Sequence, residues 1–127
     1  MRKIVLLIIS GIYAIVMGIG ILGLWLMLYL TNQIPELKTE HVAIAFHIAA
    51  ETLMGVLSLL SGIFLLIGLS WAPYFFILAM GLVIYAVVNS AGYYGQKKQW
   101  SFVIMFGIIL IASASLVILI LISQSKF

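Results

Sequence analysis

The chain of 127 residues carries six basic and three acidic residues, a formal net charge of +3, so that 7% of it is charged while 66% is hydrophobic. A mean hydropathy of +1.36 lies far outside the soluble range and excludes a soluble globular domain. The basic residues fall in ones and twos without forming a basic face, which argues against nucleic acid as a partner, and the absence of cysteine excludes a disulfide framework, thiol catalysis and Cys-ligated metal.

A helix needs about 20 apolar residues to cross roughly 30 Å of hydrocarbon. Four runs qualify, at about residues 4–30, 42–67, 71–94 and 102–122. They use nearly the whole chain, so residues 1–127 read as one domain. In lipid each backbone polar group must be satisfied within its own helix, and the expected fold is all-α, an integral membrane antiparallel four-helix bundle.

The start, Met1-Arg2-Lys3 before an apolar run, imitates a signal peptide. The run is too long for one and ends at Leu30-Thr31-Asn32 without a cleavage pattern, which predicts a retained first span. The first connection, residues 31–40, is polar, contains Pro35, and offers Thr39 as N-cap with Glu40 in the first turn. Between spans two and three, Gly68 reads as a C-cap glycine, Ser70 as an N-cap and Pro73 as a first-turn proline. The last connection begins where a helix ends at Gly95 and carries the basic pair Lys97-Lys98. Tyr29, Tyr93, Tyr94 and Trp100 fall at one set of span ends and Trp71 with Tyr74 at the other, as interfacial belts do. Charge gives no orientation: Arg2, Lys3 and Lys126 on the side of the termini balance Lys38, Lys97 and Lys98. The terminal amine tips the reading toward cytoplasmic termini, and the lack of bias also suits dual insertion.

Polar residues inside the spans are the candidates for function. At 100° per residue Glu40, His47 and Glu51 share one stripe of span two, continued by Ser58 and Gly62. Glu51 lies about 15 Å along the axis from the start of its span, a depth at which an ionisable group must be neutral, paired or wet. Span three supplies Tyr85 and Asn89 at matching depths, which predicts two layers, His47 facing Asn89 and Glu51 facing Tyr85. These groups either satisfy one another and fix the register of the bundle, or form a site where Glu51, with His47 beside it, exchanges a proton or holds a cation. His47 and Glu51 supply two metal ligands where a closed zinc site needs four and a catalytic one three. Haem would require His47 from two chains. No Ser-His-acid set points to catalysis, so no catalytic residue, metal or cofactor is expected. Ser10, Ala14 and Gly18 in span one, with Ser58 and Gly62 in span two, form small-residue surfaces for close helix approach.

The runs 47–52 (HIAAET), 60–66 (LSGIFLL) and 89–96 (NSAGYYGQ), followed by Trp100 and Met105-Phe106, resemble a group of short four-span membrane proteins of archaea and bacteria with no assigned activity. The likeness covers spans two to four and implies a multi-pass protein of a prokaryotic cell membrane, with no mechanism attached. The small multidrug resistance transporters are similar in design, being short, four-spanned and dependent on one membrane carboxylate, but here the acid is in span two rather than span one. Two functions follow as expectations: a structural or accessory membrane component packing against a second copy or a larger membrane partner, or a small proton-coupled or cation-handling transporter using Glu51 with His47.

Overall fold

The computed structural model describes residues 2–32 and 36–124; the expectations for Pro35 and Lys126 lie outside them. It contains α1 (Arg2–Leu30), a single turn α2 (Glu36–Thr39), α3 (His41–Leu66), α4 (Ala72–Gln96) and α5 (Trp100–Gln124), and no strand among the described residues. The four long helices hold 29, 26, 25 and 25 residues. At 1.5 Å rise these are about 38–44 Å long, and all four are long and apolar enough to cross a membrane.

The connections explain where each helix stops. After α3, Gly68 takes φ +81°, its N–H donates to the Leu65 carbonyl at 3.3 Å, and the Leu69 N–H reaches the Phe64 carbonyl at 3.2 Å. That pair of bonds is a Schellman cap, which needs a left-handed residue at its centre. The same geometry closes α4, with Lys98 to Gly95 and Gln99 to Tyr94, both 3.0 Å, but the left-handed residue is Lys98 at φ +57°. The helix therefore runs past Gly95 to Gln96, because the cap is centred three residues beyond the glycine. The two N-caps also differ from expectation. Glu40, not Thr39, precedes α3, and Trp71, not Ser70, precedes α4, neither with a side-chain capping bond. Thr39 is instead used to end α2, and Pro73 occupies the first turn of α4 as expected.

Helices adjacent in the chain carry the packing: α1 lies along α3 and α5 along α4, the two hairpins meet through α3 and α4, and α1 touches α5 only thinly. The α1–α3 seam is the closest. Gly18 packs on the Gly55 carbonyl and Leu59, and Gly62 on the Gly11 carbonyl and Ile15. Between these contacts the buried Ser58 hydroxyl donates to the Ala14 carbonyl at 2.8 Å. The thin α1–α5 edge is joined by the Tyr13 hydroxyl, 2.7 Å from Ser113 Oγ and 3.3 Å from the Ile109 carbonyl.

Burial is one-sided along the axis. Call the end with the termini and the residue 67–71 turn end A, and the end with residues 31–40 and 97–99 end B. Phe76, Met80, Val83, Ile120, Ala14 and four serines are fully buried in the half toward end A. Among the described residues none between 19 and 53 or between 88 and 112 is buried. The interior is sealed in one half and open in the other.

Candidate functional site

Side chains on a helix lean toward its N-terminus. On α1 that direction is end A and on antiparallel α3 it is end B, so Trp25 and Glu51 lean toward each other across the seam. The Trp25 indole Nε1–H donates to Glu51 Oε1 at 3.1 Å. His47, one turn nearer end B on α3, sets its ring edge-on to Trp25 with centroids 5.5 Å apart and planes at 74°. Trp25 and Glu51 are half-buried and His47 is exposed. Glu51 sits one turn above Met54 and Gly55, the first buried residues of α3, and so lies at the floor of the open half.

Tyr85 and Asn89 are not part of this cluster, and the expected layers are not formed. The buried stripe of α4 is Phe76, Ala79, Met80, Val83 and Val87. Tyr85 is two residues from both valines, about 160° round the helix from them, and Asn89 is two beyond Val87 in the same sense. Tyr85 is accordingly 74% exposed and Asn89 is exposed. The positions that continue the inner stripe toward end B are Ser90 and Tyr94, where Tyr94 stacks on Phe106 at 5.8 Å and tilts against Phe102 at 4.9 Å.

The arrangement offers a carboxylate with one oxygen engaged by an indole N–H, an imidazole one turn away, and an approach from end B. It can accept and return a proton, or hold a cation against the carboxylate. Among the described residues no group of three His, Cys, Asp or Glu comes together, so His47 and Glu51 stand alone as potential ligands on their face. A cavity of about 270 Å³ on the same seam is lined by Trp25, Leu22, Leu26, Tyr29, Ile48 and Thr52. Trp25 therefore has Glu51 at its N–H and this apolar groove along its ring.

Sequence reasoning missed Trp25. The available signal was its place five residues inside span one, away from both aromatic belts, where an indole N–H requires an acceptor. The packing residues are placed as follows: Ser10, Ala14, Gly18, Ser58 and Gly62 are all buried, the last four directly in the α1–α3 seam, with Gly11 and Gly55 as their partners. The Ser10 hydroxyl is buried without a hydrogen-bond partner.

The family described as a domain of unknown function, DUF8058, matches residues 5–127, and the chain belongs to it. No curated protein and no solved structure matches the chain.

Proposed function

We propose that this protein is a multi-pass component of the cell membrane in which Glu51 takes up and releases a proton, or holds a cation, reaching it from end B. The observation that carries this reading is the position of Glu51 on the border between the sealed and open halves, with one donor, Trp25, at 3.1 Å. A carboxylate satisfied wholly by neighbouring side chains would favour a structural role. Here the partners that role required, Tyr85 and Asn89, face away. An acid near the centre of a bilayer costs about 2.5–3.5 kcal/mol on insertion scales, and that penalty falls when water, a proton or a cation meets the free oxygen.

The test is reconstitution into liposomes loaded with a pH-sensitive dye, under an imposed sodium or potassium gradient. Wild type should move protons well above Glu51→Gln, whose amide oxygen still accepts the Trp25 N–H and so spares the fold. Flux equal to that of protein-free liposomes under both gradients would overturn the transport reading. Carbonate extraction of the same membranes scores integration separately.

A second reading is an accessory component, favoured by the same unfilled half: a second copy or a larger membrane partner would complete it. It predicts that cysteines at exposed Tyr85 or Asn89 crosslink in native membranes to a defined product, which the first reading does not require.

A further inference from the structure

The outer face of α4 carries two polar side chains that the bundle leaves unmatched. Tyr74 and Tyr94 each stand ten residues from Ile84, the middle residue of α4 (Ala72–Gln96). That is about 15 Å at 1.5 Å per residue, the half-thickness of the hydrocarbon layer. With these aromatic rings at the two interfaces, Tyr85 lies one residue from the bilayer centre and Asn89 about 7.5 Å from it. Both are exposed, and neither side chain hydrogen-bonds to any described residue.

An amide and a phenol in hydrocarbon carry a desolvation cost that lipid tails cannot offset, because the tails hold neither donor nor acceptor. Whatever covers them must bring hydrogen-bonding groups to the same two depths. Each of these groups is donor and acceptor at once, so each is matched by its own copy. A second chain inserted in the same direction meets that demand by symmetry: about a twofold axis along the bilayer normal, Asn89 faces Asn89 and Tyr85 faces Tyr85. A chain inserted the other way does not, since the two Asn89 amides then differ in depth by about 15 Å, each level with Ala79 of the other. The face also admits close approach. Gly81 and Gly92, about one turn outside Tyr85 and Asn89, are exposed, a Cβ at either would meet nothing within 4 Å, and small residues let membrane helices draw together. No charged residue occurs in α4, so nothing on this helix repels its own copy.

We propose that α4 packs against α4 of a second copy inserted in the same direction, with the Asn89 amides paired across the twofold axis. The inference rests on the reading of the chain as membrane-spanning and names a partner for it; it does not rest on the role of Glu51.

The chain has no cysteine of its own, so single cysteines report the contact. Val88, exposed beside Asn89, can be replaced without removing either polar group. Oxidation of Val88→Cys in native membranes should give a disulfide-linked dimer of this chain, and Ile19→Cys, exposed on α1, should not. In liposomes at decreasing protein-to-lipid ratio, followed by energy transfer between labelled copies, Asn89→Leu should raise the dimer Kd about tenfold, the worth of one to two interhelical hydrogen bonds, and Asn89→Gln should retain association. Asn89→Leu changes an exposed position and should leave thermal unfolding of the monomer in detergent unchanged, which separates loss of contact from loss of fold. Association unchanged in Asn89→Leu would overturn the proposal. So would a disulfide at Tyr85→Cys without one at Val88→Cys, the mark of an antiparallel pair, or a Val88→Cys adduct with a different protein in place of the dimer. A protein that remains integral to carbonate-washed membranes yet stays monomeric sinks this inference and leaves the membrane reading intact.

Discussion

Replacing Gly62 by alanine tests the α1–α3 seam most directly. A Cβ at Gly62 would stand 2.5 Å from the Gly11 carbonyl oxygen, 2.6 Å from Ile15 Cγ1 and 2.9 Å from the Ile15 amide nitrogen. Two of these three are backbone atoms, so no rotamer change relieves the clash and α1 must retreat by about 0.9 Å to restore ordinary contact at 3.4 Å. A shift of that size carries the Ser58 to Ala14 bond, now 2.8 Å, beyond hydrogen-bond reach. The overpacking costs about 1–3 kcal/mol and the lost buried bond about 1 kcal/mol more, against a gain of about 1 kcal/mol in helix propensity. The net expectation is a loss of about 1–3 kcal/mol, matched by Gly18→Ala, whose Cβ would meet the Gly55 carbonyl at 2.7 Å. Gly20→Ala and Gly81→Ala, with nothing within 4 Å, should be neutral or stabilising. Unfolding in dodecyl sulfate, followed by circular dichroism, ranks the four. If Gly62→Ala matched wild type, or Gly20→Ala fell as far as Gly62→Ala, the seam would not be the close contact described.

Ser10→Ala and Ser58→Ala should move stability in opposite directions in the same assay. The first removes a hydroxyl that has no partner and should gain up to about 1 kcal/mol, while the second breaks a buried bond and should lose about that amount. Trp25→Phe and Glu51→Leu should each destabilise, and a double-mutant cycle between them should show a coupling of about 1 kcal/mol; strict additivity would mean the 3.1 Å bond contributes nothing. Lys98→Gly should raise stability by about 1 kcal/mol by relieving a left-handed non-glycine residue, with Gly68→Ala moving as far the other way; equal and unchanged midpoints would count against both caps. Single cysteines at Ser70 and Gln99, in a chain with none of its own, should label from opposite sides of sealed vesicles, and labelling from one side would break the four-span topology.

The four long helices were legible because length and apolarity decide them: the expected 42–67 and 71–94 differ from Glu40-capped α3 and Trp71-capped α4 by at most two residues. Which face of each helix turns inward was not. In soluble helices polarity marks the outside, but a chain with 66% hydrophobic residues offers apolar groups all round, and the inner face is chosen by fit. On α4 that fit belongs to Ala79, Val83 and Val87, so reading the polar Tyr85 and Asn89 as interior inverted the helix. The α1–α3 seam was partly visible through Ala14, Gly18, Ser58 and Gly62, since small residues spaced along one stripe signal close approach. Glu51 was singled out by its depth alone. Its partner was hidden because the register of two helices depends on which glycine meets which carbonyl, and no local pattern encodes that.

The Tyr13 to Ser113 contact joins residues 100 positions apart, whereas every extensive contact in the bundle joins neighbours in the chain. During synthesis the first hairpin can therefore dock as soon as residue 66 has emerged, and the second can form on its own seam, where the one glycine contact, Gly95 with Val103, is an ordinary 3.7 Å. Closure of the circle waits for α5, where the Tyr13 phenol meets the Ser113 hydroxyl and the Ile109 carbonyl. The α1–α5 edge is therefore where the bundle is held by least: parting it would break the Tyr13 contacts with Ser113 and Ile109 and leave the packing within each hairpin untouched.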